Sequence, residues 1–400
     1  MSGFFAPRLG RIKHSPSNAA SQMVRELRAQ GRDVIGLTIG EPDFPTPEHV
    51  KAAAAAAMAR DDTRYTTVDG TEELKEAVRA KFSRDNGLDF ARGEITVACG
   101  AKQIIYNAMM ATLSAGDEVV IPVPAWVSYL DMTLVADGTP MAIECPQSQG
   151  FKLTPAQLEA AITPRTKWLM LNSPSNPTGA VYSRDELAAL AEVLLRHPHV
   201  WVLSDDIYEH LLFDEREYAT IAQVEPALRS RTLTVNGVSK VYAMTGWRIG
   251  YAGGPAELIR NMAKLQSQST SNPCSISQAA AVAALSGPQG LVRERALELQ
   301  RRRDVVVPLL EAAPGLNCST PAGAFYVFPN CAGVLGRMTP AGGKLESEQD
   351  FAVYLIENGV AGIQGQAYGL APHIRLSFAA DMATLEEACR RVQRACAALS

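Results

Sequence analysis

Ten lysines are spread over the 400 residues, and Lys240 is the one whose neighbours would change its chemistry. It follows the small-residue turn Asn236-Gly-Val-Ser239 beside apolar runs, where a solvated ammonium would be out of place. Desolvation lowers an amine's pKa and makes it a nucleophile for carbonyl carbon. Eight residues on, Arg248 in Thr245-Gly-Trp-Arg-Ile-Gly250 can offer a guanidinium fork to a phosphate. Upstream, Ser204-Asp-Asp-Ile-Tyr208 carries paired carboxylates at the end of an apolar run. Asp205 and Asp206 could hold a cation or a metal, and either alone could equally cap the next helix. Cys99-Gly-Ala-Lys102 places small residues at a helix start, where free N–H groups can hold an anion or simply form a turn. Asn172-Ser-Pro-Ser-Asn-Pro-Thr-Gly179 reads by composition alone as a polar turn. The six histidines show no His-x-x-x-His or His-Glu-x-x-His spacing, and the seven cysteines no Cys-x-x-Cys. Neither a zinc site nor a disulfide framework follows, and no metal is expected. Walker-type, dinucleotide and Gly-x-Ser-x-Gly motifs are absent as well.

All these clusters follow short apolar runs: Ile95–Ala98, Glu118–Ile121, Trp168–Asn172, Val200–Ser204, Thr232–Val235 and Arg248–Ala252. Rich in Val, Ile and Leu, without strict alternation and separated by helical stretches, they predict a mostly parallel sheet covered on both faces. Such α/β sheets bind ligands beyond the carboxyl ends of their strands. Among the helices, Lys51–Arg60 has Thr46 as a candidate cap and Pro47 at its first position, and Ser183–Arg196 opens with a Ser183/Glu186 capping box. From about Leu291 the character changes. A long Arg- and Leu-rich helix to about Ala312 leads to Phe325–Phe328, His373–Phe378 and a last helix with Thr384 and Glu387 as a candidate box. The expected division is a large domain, 46–290, and a smaller α+β domain made of 1–45 with 291–400.

Acidic residues exceed basic ones by four, giving a net charge of −4, and 47% of residues are hydrophobic. That balance offers no footprint for nucleic acid or an anionic membrane. No apolar run approaches the roughly 20 residues of a membrane span, and Met1–Arg11 has no secretory-signal pattern, so a cytoplasmic protein is expected.

Taken together, Gly40-Glu-Pro-Asp-Phe44, Asn172–Gly179, Ser204-Asp-Asp-Ile-Tyr-Glu-His210, Ser239-Lys240, Met244-Thr-Gly-Trp-Arg-Ile-Gly-Tyr251 and His373-Ile-Arg-Leu-Ser377 run from near one end of the chain to the other. In this order they resemble the class I aminotransferases, pyridoxal-phosphate enzymes of fold type I, and within them the bacterial aspartate aminotransferase branch called Iβ. The resemblance implies that Lys240 holds the cofactor covalently and later moves the substrate's Cα proton. It implies that Asp205 pairs with the pyridine nitrogen, that Tyr208 and Asn176 meet the 3′ oxygen, and that Trp126 stacks on the ring. Gly100, Ala101, Ser239 and Arg248 match the phosphate cup, joined by Tyr65 from a second subunit. Arg375, with the Gly40 backbone beside it, matches the clamp on the substrate α-carboxylate.

The departures are local. Relatives often have Asp-Glu in place of Asp205-Asp206, and many have Tyr where Ala125 precedes Trp126. The Iα branch holds a distal carboxylate with a partner arginine near the place of Ser267, yet Gln266–Asn272 contains no arginine. The Iβ branch uses a lysine at the place of Lys102. Lys13 and Ser15–Ser17 fall in a segment that in the family folds over the substrate, and relatives acting on prephenate tend to carry Thr at Ser17. The implied activity is ping-pong transamination between aspartate and 2-oxoglutarate in a homodimer with shared sites. Alternatives are a broader aromatic or prephenate specificity, or one of the lyases built on the same scaffold.

Overall fold

A computed structural model describes residues 3–14 and 16–400, with the backbone alone for residues 17 and 18. Of the segment expected to cover the substrate, Ser15 and the Ser17 side chain therefore lie outside the described residues.

Seven strands form the main sheet: β1 (Ile95–Ala98), β2 (Glu118–Val123), β3 (Thr139–Glu144), β4 (Thr166–Asn172), β5 (Trp201–Asp205), β6 (Thr232–Gly237) and β7 (Gly250–Gly253). Their order is β1-β7-β6-β5-β4-β2-β3, with only β7 antiparallel to its neighbours. The absence of alternation in the sequence has a direct cause. Val119, Ile121, Met170, Leu203 and Val235 share a core cluster with Ile104, Ile105, Ala108 and Met109 of helix Ala101–Thr112. Their immediate neighbours Val120, Leu169, Leu171 and Val202 pack instead with Leu187, Leu190 and Leu194 of helix Arg184–Arg196. Successive side chains leave opposite faces of a strand, and both faces are covered, so both must be apolar.

Strand β3, absent from the expected set, is one of the two edge strands. Its side chains are half-exposed or exposed and it contains Pro140, so no apolar run marks it. Nor does the strand expected at Arg248–Ala252 begin where its sequence suggests. Arg248 sits in the left-handed region at φ 56°, and pairing starts at Gly250.

Two helix starts also differ from expectation. Helix Glu48–Ala59 has Pro47 in the N-cap position, with no side-chain cap. Thr46 donates instead to the Ala243 carbonyl (2.7 Å) and accepts from Trp247 Nε1 (3.1 Å), fastening this loop to the turn after Lys240. Helix Met382–Ala397 is capped by Asp381, which accepts from Thr384 N–H (3.0 Å), three residues before the cap expected at Thr384. Glu387 is drawn away to Arg390, Arg391 and Arg394. The Ser183/Glu186 box forms as expected, Glu186 N–H donating to Ser183 Oγ and Ser183 N–H to the Glu186 carboxylate.

Beyond Gly290–Glu311, strand Ile374–Ser377 lies between Tyr326–Val327 and Ile363–Gln364, antiparallel to both. The N-terminal strand Ile35–Gly36 pairs with Val360–Ala361, and Ser377 N–H donates to the Leu37 carbonyl (2.9 Å). These bonds bring Gly40 and Arg375, 335 positions apart in the chain, to one place above the carboxyl ends of the large sheet. Among the described residues no helix is long and apolar enough to cross a membrane.

Candidate active site

A cavity of about 290 Å³ opens at that place. Gly40, Ala101, Lys102, Trp126, Asn176, Asp205, Tyr208, Ser239, Lys240, Arg248 and Arg375 all line it. Their positions follow from the sheet. Ala101, Trp126, Asn176, Tyr208 and Lys240 come a few residues after the carboxyl ends of β1, β2, β4, β5 and β6. Because β7 runs the other way, Arg248 reaches the same edge from just before its amino end.

The Lys240 amine donates to the Gly40 carbonyl at 2.6 Å and lies 5.4 Å from the Tyr208 ring centre. Burial, reinforced by the Arg375 charge and only partly offset by Asp205 and Glu41, holds its pKa at about 8 instead of 10.5. The Asp205 carboxylate accepts the Tyr129 hydroxyl at 2.6 Å. Burial pushes its pKa up to about 6 against the pull of that bond, the Ile207 N–H and the Lys240 charge. Asp206 does not join it. By strand parity it faces the opposite layer, where Ser204 Oγ donates to it at 2.6 Å. The two carboxylates therefore do not form a metal pair. Another group of possible ligands, Asp85, Glu209 and His210, lies outside the cavity lining, and the Lys81 ammonium already contacts Glu209 there.

Arg375 is 2% exposed and sits 4.6 Å from the Tyr326 ring centre. Its Nη1 donates to Asn176 Oδ1 (3.0 Å) and its Nη2 to the Thr38 carbonyl (2.5 Å), while Nε has no hydrogen-bond partner. Arg248 donates to the Thr245 carbonyl (2.8 Å) and the Cys99 carbonyl (3.3 Å). Its guanidinium lies close against Gly100, where a Cβ would come within 2.3 Å of Nη2. Gly100 does not line the cavity itself but allows that approach, at φ 89°. Lys102 Nζ stands 4.8 Å from the Trp126 ring centre, its pKa lowered by burial and then by Arg248. Among the described residues none of Lys102, Lys240, Arg248 and Arg375 forms an ion pair with a carboxylate. Four cations face one cavity that contains only Asp205 and Glu41 as acids, a surplus that suits an anionic ligand.

Two expected residues lie elsewhere. Tyr65 is 91% exposed and outside the cavity of its own chain. Lys13 is exposed, and its backbone N–H lies 3.4 Å from Asp131 Oδ1. Several lining residues were given no role in the sequence reading. The Tyr326 hydroxyl meets the Tyr208 hydroxyl at 2.8 Å, and the sequence hides it among apolar neighbours in Phe325–Phe328. Tyr129 is three residues after Trp126, on the helix Ser128–Val135, and that spacing was its only signal. Asn172 accepts the Asn176 N–H (2.9 Å) and donates to the Asp205 carbonyl (2.8 Å), tying the ends of β4 and β5 together. Glu41 accepts from Thr245 Oγ1.

A group with an aldehyde, a ring and a phosphate would find a partner for each part here. The amine of Lys240 is partly deprotonated at neutral pH, Trp126 offers an aromatic face, and Arg248 lies over the helix start at Gly100–Ala101.

The family described as "Aminotransferase class I and II" matches residues 32–392. An aspartate/prephenate aminotransferase of Cereibacter sphaeroides is 56% identical over 398 residues, covering 99% of this chain and 100% of its own length. An aspartate aminotransferase of Rhizobium meliloti is 58% identical, covering 94% and 92%. Among solved structures, the aspartate aminotransferase from Rhizobium meliloti superposes with a TM-score of 0.97, 56% identity and full coverage of both chains. That from Thermus thermophilus, solved with maleate, gives 0.91 at 42% identity, covering 98% of this chain and 99% of its own.

Proposed function

Because this chain belongs to the class I and II aminotransferases, we propose that its cavity binds pyridoxal 5′-phosphate and transfers the amino group of aspartate to 2-oxoglutarate. The observation that carries this reading is the set of three cations, Lys102, Arg248 and Arg375, none in an ion pair with a carboxylate among the described residues, around an amine with a pKa near 8. Lys240 would hold the cofactor covalently, Asp205 its ring nitrogen, Tyr208 and Asn176 its ring oxygen, and Trp126 its face. Gly100, Ala101, Ser239 and Arg248 would hold the phosphate, completed by Tyr65 of a second copy in a homodimer. Pyridoxal phosphate, once bound, supplies the electron sink that makes a substrate Cα–H acidic.

The chain's own residues do the rest. Arg375 clamps the α-carboxylate through its planar fork and so sets which Cα bond faces Lys240. An amine titrating near 8 is free often enough at neutral pH to take the Cα proton and strong enough as an acid to return it. Lys102, beside Trp126, binds the distal carboxylate of a dicarboxylic substrate. Maleate, with which the Thermus thermophilus enzyme was solved, is such a dicarboxylate. Residues 46–290 would then act as the cofactor domain. Residues 1–45 with 291–400 would be the smaller one, bringing Gly40, Arg375 and the Lys13 segment to the substrate and shedding water.

The name of the Cereibacter sphaeroides relative favours prephenate as a second acceptor. The test is initial-rate kinetics with aspartate and 2-oxoglutarate, following oxaloacetate. Parallel double-reciprocal lines are expected, and converging lines or no oxaloacetate would overturn the proposal. Prephenate in place of 2-oxoglutarate tests the second reading in the same assay.

A further inference from the structure

The loop that displays Tyr65 is held far more firmly than an exposed side chain needs for its own sake. Gln278, on helix Ser275–Ser286, is wholly buried. Its Oε1 accepts from Thr71 N–H (2.8 Å), and its Nε2 donates to Thr66 Oγ1 (3.0 Å) and to the Pro273 carbonyl (3.0 Å). Only one orientation of the amide serves both ends, because Thr71 N–H needs an acceptor and the Pro273 carbonyl a donor. From the other side, buried Gln266 donates to the Val68 carbonyl (2.6 Å) and to the Val97 carbonyl of β1 (2.9 Å). Val97 N–H in turn donates to the Asp69 carbonyl (2.9 Å). Gly70, at φ 109°, lets the loop press on β1, since a Cβ there would lie 2.5 Å from Val97 Cγ2.

Tyr65 immediately precedes this clamped stretch and gains no packing within its own chain, being 91% exposed. What the clamp provides is a fixed backbone with little beyond the side-chain torsions left to order when the hydroxyl meets a ligand. We propose that Gln278 is a positioning residue for the active site of a second copy of this chain. It sets the loop so that Tyr65 reaches the phosphate bound at the other copy's helix start. The inference rests on the reading that Tyr65 completes the neighbouring site, and the test separates the two.

Gln278→Leu removes both ends of the clamp. Its homodimer should bind pyridoxal phosphate about tenfold more weakly, the loss expected when one hydrogen bond to a charged group is no longer held in place. Tyr65→Phe should do the same. Each variant is then paired in a heterodimer with Lys240→Ala chains. Borohydride reduction followed by mass spectrometry counts cofactor on the Lys240-bearing chain alone, and sedimentation confirms the dimer.

In these heterodimers the Lys240-bearing site borrows an intact loop, so both variants should regain wild-type affinity. Rescue of Tyr65→Phe without rescue of Gln278→Leu would overturn the proposal and leave the shared site standing. Rescue of neither would overturn both. Unchanged affinity in the Gln278→Leu homodimer would overturn the proposal at once. Should Gln278→Leu fail to fold, Gln278→Glu takes its place in the same heterodimers. It keeps the acceptor for Thr71 and loses the two donated bonds.

Discussion

Replacing Lys240 by methionine should make the cofactor-free protein more stable at neutral pH, although it destroys the site. The amine's pKa falls from 10.5 to about 8 on folding, and at 1.36 kcal/mol per pH unit that is a penalty of about 3 kcal/mol for carrying the charged form into the cavity. The penalty is fully present below pH 8, where folded and unfolded chains are both protonated. Between about 8 and 10.5 the unfolded chain binds the extra proton, so wild-type stability rises with pH. Above that window both states are neutral and the charge penalty is gone. Methionine removes the charge at similar volume but gives up the bond to the Gly40 carbonyl, a loss of about 1 kcal/mol. The net gain at pH 7 is then about 2 kcal/mol per chain. Urea unfolding of both cofactor-free proteins, at equal chain concentration because the stability of any oligomer would depend on it, should show a higher midpoint for Lys240→Met at pH 7. The difference should shrink through the window and reverse in sign by pH 10.5, where only the lost bond to Gly40 remains. A variant less stable than wild type at pH 7, or a difference constant over the window, would refute the claim that this lysine is desolvated.

Other perturbations separate the roles of neighbouring groups. Lys102→Ala should lower kcat/KM for aspartate by about ten- to hundredfold, the worth of a charge-assisted hydrogen bond, and change alanine and phenylalanine little. Equal losses for all three would remove Lys102 from substrate recognition. Tyr129→Phe withdraws the bond that steadies ionised Asp205, whose pKa of about 6 should rise by about one unit. The acid limb of pyridoxal-phosphate uptake by the cofactor-free protein should move up with it, and an unmoved limb would contradict the assignment. In Gly250→Ala the new Cβ would fall 2.1 Å from Ala101 N. Overpacking should lower stability by about 1–3 kcal/mol and weaken cofactor retention on dialysis, whereas full retention would show that this helix start does not hold the phosphate.

The strand ends were legible because two physical rules coincide there. A strand buried on both faces writes a plain apolar run, and the first polar residues after it fall at the edge where ligands bind. Lys240 and Asp205 were found in this way, the stretches with Ala101 and Asn176 read equally as turns, and the family resemblance supplied the roles of all four. What escaped lacks such a signature. Strand β3 is half solvated and includes Pro140, so its composition resembles a loop. Tyr326 and Tyr129 bring hydroxyls into the cavity from within apolar stretches, and a tyrosine's polar tip leaves no trace in a hydrophobic pattern. The last helix begins at Asp381's bond to Thr384, while the Thr384/Glu387 spacing, equally good in the sequence, loses Glu387 to three arginines packed around it. Which carboxylate of the Asp205-Asp206 pair faces the cavity was settled by strand parity, which becomes readable only once the register is known.

The central claim is that Lys240 carries pyridoxal phosphate in this cavity and passes on the amino group of aspartate. The visible spectrum of the purified protein, with added pyridoxal phosphate and then with aspartate, alanine or phenylalanine in separate cuvettes, tests it most directly. The account predicts a yellow protein that aspartate bleaches quickly and the other two slowly, with the colour restored by 2-oxoglutarate. A colourless protein that takes up no pyridoxal phosphate would contradict it.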